Sequence, residues 1–139
     1  MYEKPFEKNT NPYTIEAERD SVCMGDDCNA PHYEHLEYDP NQLLSEWLKC
    51  SVLAYVPNMK GCVWAVFSGK GTKRKLLGYL VGDAETDRYS VELARDDEFM
   101  GILSIKDIFC RYYYPSFFTS EKYLKLPTML ERVRLSVEG

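Results

Sequence analysis

The sequence predicts a single α+β domain, with a mostly antiparallel sheet of four to five strands, a helix after the second strand and helices at the C-terminal end. Three observations predict it. Period-two alternation at 13–22, 33–38 and 89–93 has the pattern of half-buried strands. The almost wholly apolar run 62–67 has strand length and reads as a central strand covered on both faces. The last third of the chain changes to helical spacing and carries two capping signals. A composition of 45% hydrophobic and 28% charged residues in 139 suits one globular core and excludes a low-complexity chain.

Each element follows in order. Residues 1–12 read as a loose N-terminal segment ending in the turn chemistry of Asn9, Asn11 and Pro12, and the domain spans 13–139. A strand from Tyr13 toward Val22 leads into a Gly/Asp/Asn/Pro-rich turn, residues 23–31. The returning strand 33–38 places His32, Glu34, Leu36 and Tyr38 on one face and Tyr33, His35 and Glu37 on the other. Asp39, Pro40 and Gln42 have the spacing of a helix start, and Leu43, Leu44, Trp47 and Leu48 share one helical face, with an end near Cys50 or Ser51. A short strand is expected at 53–56, then a hairpin of 62–67 with 76–81, then a strand at 89–93. Ser104 and Asp107 read as a helix start, because Ile105, Ile108, Phe109, Tyr112 and Tyr113 follow at helical spacing, with Pro115 as the stop. Thr128 with Glu131 opens a last helix whose apolar side is Leu130, Val133 and Val137. Strand, strand, helix, strand, strand is also a β-grasp-like order.

Charge is distributed in blocks around a net of −5: residues 1–39 carry −7, 40–82 carry +5, 83–98 carry −5 and 99–139 carry +2. The acidic excess argues against direct nucleic-acid binding and against a polybasic membrane anchor, and it favours basic protein partners. No apolar run approaches a spanning helix and Met1 to Pro5 offers no secretion-signal core, so a cytoplasmic location is expected. Five cysteines do not form a secreted disulfide framework, and Cys50, Cys62 and Cys110 lie in apolar segments as small buried hydrophobes.

Four constellations are candidates for chemistry. Cys23, Cys28, His32 and His35 gather zinc-type ligands within thirteen residues, although the spacing matches no standard finger and an extended strand sends the two histidines to opposite faces. Asp26, Asp27 and Asn29 lack the bidentate glutamate of a calcium loop. The same cysteines and histidines could form a thiolate and base of a cysteine-dependent enzyme, but no nucleophile motif surrounds them. No G-x-S-x-G elbow or cofactor motif is present, and Gly69 to Thr72 lacks P-loop spacing. Lys70, Lys73, Arg74 and Lys75 could grip phosphate or an acidic partner, or simply keep a hairpin soluble. Tyr114, Phe117 and Phe118, beyond Pro115, have the composition of a protein-binding patch, with Asp96, Asp97 and Glu98 as a second, acidic candidate.

The segment Asp20-Ser21-Val22-Cys23-Met24-Gly25-Asp26-Asp27, followed by Ala30-Pro31-His32, resembles an N-terminal hairpin of small uncharacterised bacterial proteins of phage or mobile-element type. About a dozen residues carry the resemblance, and no catalytic residue comes with it. It implies a compact protein that binds and blocks a host protein. The expectation is therefore a non-enzymatic, cofactor-free protein-binding module, an acidic inhibitor or regulator of a basic nucleic-acid-handling protein. A small zinc protein is the alternative, and a cysteine-dependent enzyme a further one.

Overall fold

A computed structural model describes residues 12–22 and 32–138. Six strands form one sheet: β1 (Thr14–Arg19), β2 (Tyr33–Glu37), β3 (Val63–Ser68), β4 (Lys75–Gly82), β5 (Tyr89–Leu93) and β6 (Asp107–Tyr113). Their order is β2-β1-β6-β3-β4-β5. All neighbours are antiparallel except β1 and β6, which run parallel. The order is β-grasp-like, with two hairpins either side of a late central strand and β5 added at one edge.

The fold class is α+β as expected, with six strands rather than four to five. The additional strand is β6, where helical spacing predicted a helix. This strand lies between β1 and β3 and both its faces are covered: Ile108 and Cys110 enter one core, Tyr113 the other. Apolar residues therefore occur at both odd and even positions, and such a run satisfies helical spacing as readily as a two-sided strand. Ser104 does not start a helix. It takes a left-handed conformation, φ 54°, and ends the short α3 (Met100–Leu103).

The helix after β2 also differs from expectation. It runs through α1 (Leu44–Trp47), a π-type segment (Leu48–Val52) and α2 (Leu53–Tyr55), so the segment expected as a strand at 53–56 is helical up to Tyr55. Asp39 and Gln42 close a turn ahead of it, with the Gln42 N–H on the Asp39 carbonyl at 2.9 Å. The first helical turn is capped otherwise. Glu46 accepts the Leu43 N–H at 3.1 Å, and Asp97, from the loop after β5, accepts both the Ser45 N–H and its hydroxyl.

This helix covers one face of the sheet. Trp47, Leu48 and Val52 pack there with Ile15, Trp64, Leu80 and Ile108. Both indoles are fixed by hydrogen bonds, Trp47 to the Glu37 carbonyl at 3.0 Å and Trp64 to the Pro57 carbonyl at 3.2 Å. The C-terminal segment covers the other face. There the turn Pro115–Phe117, α4 (Glu121–Leu124) and α5 (Met129–Glu138) lie over Val63, Ala65, Tyr79 and Tyr113. Thr128 caps α5 as expected, with the Glu131 N–H on Thr128 Oγ1 at 3.1 Å, but Glu131 Oε1 accepts the Thr128 hydroxyl at 3.1 Å rather than closing the box on its backbone. Leu130, Val133 and Val137 face inward as the spacing predicts. No helix among the described residues is long and apolar enough to cross a membrane.

Candidate functional site

At the end of β6 the chain leaves the sheet through a tight turn in which Phe117 N–H bonds the Tyr114 carbonyl and Phe118 N–H bonds the Pro115 carbonyl. This turn divides the predicted aromatic patch. Phe118 points inward at 2% exposure, stacked parallel to Tyr113 at 5.9 Å and close to Tyr123 at 4.8 Å. It belongs to the core, not to an accessible surface. Tyr114 and Phe117 stay outside, at 38% and 43% exposure, with their rings edge to face at 5.9 Å. A ladder of rings supports Tyr114 from within, from buried Trp64 to Tyr112 at 5.0 Å and from Tyr112 to Tyr114 at 5.3 Å, while Phe117 rests edge-on against Tyr113 at 5.3 Å. Tyr112 is held in turn by a 3.3 Å contact between its hydroxyl and Cys62 Sγ; burial first, then that contact, raises its pKa. The exposed rings are thus pre-positioned, which lowers the entropy that a partner must remove on binding.

Beside this turn lies a groove of about 580 Å³, lined largely by apolar groups: Val81, Ala84, Pro115, Pro127, Met129 and Leu130. Its walls come from four segments. Gly82 forms part of its floor, and no larger residue fits there, since a Cβ would come within 2.7 Å of the Met59 carbonyl and 2.9 Å of the Tyr89 ring. The Tyr89 hydroxyl locks the neighbouring turn by donating to the Met59 carbonyl at 2.7 Å and accepting the Met59 N–H at 2.6 Å. Burial raises the pKa of that hydroxyl as well. The turn after β4, which lines the groove through Ala84, exposes Asp83, Glu85 and Asp87. Its shape is set by local bonds, Glu85 N–H to Asp83 Oδ1 at 2.7 Å and Asp83 N–H to the Arg88 carbonyl at 2.9 Å. Arg132 also lines the groove, with its Nε bound to the Leu126 carbonyl at 3.0 Å.

The remaining candidates fall elsewhere. Asp97 serves the N-terminus of α1, and Glu98 pairs with Arg95 at 3.6 Å and accepts the Leu44 N–H through its carbonyl, while Asp96 is exposed beside them. Cys23 and Cys28 lie outside the described residues, as do Asp26, Asp27 and Asn29. His35 is exposed on β2 opposite Glu16, in edge contact with Tyr33, and the His32 carbonyl accepts the Tyr55 hydroxyl and the Arg19 N–H. Among the described residues no group of three or more potential metal ligands occurs. Cys62 and Cys110 are buried as expected, and burial pushes the Cys110 thiol up, but Cys50 is exposed on the outer side of the π-type segment. The sequence reading missed most of the groove residues. Thr128 and Leu130 had a local signal, as cap and apolar side of the last helix, whereas Val81, Ala84, Pro115 and Pro127 become neighbours through long-range folding alone.

Comparison with protein families, with characterised proteins and with solved structures finds no match for this chain.

Proposed function

We propose that the chain is a non-enzymatic protein-binding module that docks a basic segment of a partner protein, inserting one apolar side chain into the groove beside Pro115. One observation carries this reading: an apolar groove of binding-site size, about 580 Å³, is lined by Pro115, whose chain neighbours Tyr114 and Phe117 are exposed, and by Ala84, whose turn exposes Asp83, Glu85 and Asp87. Apolar burial supplies the affinity, and the carboxylates of the adjoining turn select lysine or arginine beside the anchoring residue. An acidic inhibitor or regulator of a basic, nucleic-acid-handling host protein fits this chemistry, in keeping with the mobile-element resemblance of residues 20–32.

Selection from a random displayed-peptide library tests it, with an Ala84→Trp variant that fills the groove as the counter-target. Enriched peptides should carry a bulky apolar residue flanked by Lys or Arg, and should lose binding to Ala84→Trp. Peptides without that pattern, or peptides that bind both proteins equally, would overturn the assignment.

A further inference from the structure

The strongest positive feature of this acidic chain lies at the opposite end of the sheet from the groove. Where β3 ends and β4 and β6 begin, a cavity of about 450 Å³ is bordered by Lys70, Lys73, Lys75, Arg95 and Lys106. These five cations come from three separate parts of the chain: the turn between β3 and β4, the segment after β5 and the segment before β6. One acidic side chain lines the cavity with them. That residue, Asp107, is already engaged, since its Oδ1 accepts the Gly69 N–H at 2.9 Å and so fixes the start of the lysine turn. Among the described residues the four lysines make no ion pair, while Arg95 has an exposed 3.6 Å pair with Glu98 and donates from Nε to the Asp96 carbonyl at 3.3 Å. Leu77, Leu103 and Ile105 form an apolar floor.

Keeping a hairpin soluble requires charges on the turn, but it does not require Arg95 and Lys106 to converge on the same cavity. Like charges gathered round one concavity repel, and in water they concentrate anions. Arg74, the remaining cation of the turn, is used differently: its guanidinium lies over Phe109 at 4.8 Å, on the other face of the sheet. We propose that this cavity binds a small triphosphate, either inorganic tripolyphosphate or the triphosphate of a nucleotide. A multiply charged phosphate chain satisfies several lysines at once, each acting as a point charge, where a single carboxylate would satisfy one. In the nucleotide case the base rests on Leu77, Leu103 and Ile105, within a volume ordinary for small-molecule sites.

Calorimetric titration at low salt with tripolyphosphate, adenosine triphosphate and adenosine tests the site. Tripolyphosphate and adenosine triphosphate should both bind, more weakly as salt rises, and adenosine should not. Tighter binding of the nucleotide assigns the floor to the base, and equal binding assigns the site to the inorganic anion. The double variant Lys73→Glu/Lys106→Glu should weaken binding by about tenfold or more. Lys122→Glu/Lys125→Glu, an equal charge change away from the cavity, should leave it unchanged. Lys70→Gln/Lys75→Gln gives a milder second variant should the first melt early. The proposal fails if neither triphosphate binds, if the distant variant weakens binding equally, or if a single-stranded oligonucleotide binds more tightly than the nucleotide. None of these outcomes bears on the groove, which shares no lining residue with the cavity.

Discussion

The two faces of the sheet are covered in different ways. The first receives a helix from the middle of the chain and buries fourteen core residues, both tryptophans included, whereas the C-terminal segment on the second buries six. At about 1.5–3 kcal/mol for each large side chain fully removed from water, the first face holds most of the stability. The second is the thinner layer, and the groove and Phe117, which packs on Tyr113, are on its side, whereas Tyr114 packs on Tyr112 of the first. A binding surface placed on the lesser core can be altered with less damage to the fold.

The largest effect should come from the first face. Trp64→Ala removes a fully buried ring and its bond to Pro57, and should cost about 3–5 kcal/mol, visible as a lowered denaturation midpoint by every probe at once. Phe118→Ala, on the second face, should fall at the lower end, near about 3 kcal/mol. The contrast is sharper in hydrogen exchange. Loss of Phe118 should accelerate exchange in α5 well before β1 and β3, because the C-terminal layer opens by itself. Simultaneous acceleration across the sheet would mean that the two faces form one cooperative unit.

Alkaline titration divides the same layers chemically. Burial raises the pKa of Tyr55, Tyr89 and Tyr112, which pack on the first face, and of Tyr79 on the second, where the Tyr79 hydroxyl also donates to Glu138 at 2.5 Å. The folded state therefore holds these protons more tightly than the unfolded chain. Their contribution is complete below the unfolded value of about 10 and declines as pH rises above it. Stability should fall beyond about pH 10 in step with tyrosinate absorbance, and Tyr79→Phe should remove only the second-face share. A smaller loss, about 1 kcal/mol, is expected for Asp97→Ala, which uncaps the first helical turn at Ser45.

The elements that were legible in the sequence are those whose signal is local. β5 and the Thr128–Glu131 cap are readable because alternation or a three-residue spacing defines them, and β3 because its apolar run is of strand length, rich in β-branched and aromatic residues and bounded by turn residues. β6 was misread for the same physical reason that makes it central: a two-sided strand loses its alternation. The start of α1 escaped because its strongest cap, Asp97, is fifty-two residues away from Ser45. In the candidate site, Tyr114 and Phe117 were visible as surplus aromatics. The groove was not, since no single segment contains it.

Phe117 and Phe118 provide the finest test, because neighbours in sequence are assigned to opposite roles. Their rings touch at 5.0 Å, yet one is 43% exposed and the other 2%. Phe117 already leaves much of its surface in water, so truncation to Ala should shift stability by no more than about 0.5 kcal/mol. Its ring is nonetheless held by Tyr113 and Tyr114, at 5.3 and 5.9 Å, and fixed exposed aromatics are the residues that carry interface energy. Peptides selected on the native groove should therefore lose affinity for Phe117→Ala by about tenfold or more while its melting curve overlays that of the parent. A matching loss of stability would make the ring part of the second core. An unchanged peptide affinity would confine docking to the groove walls.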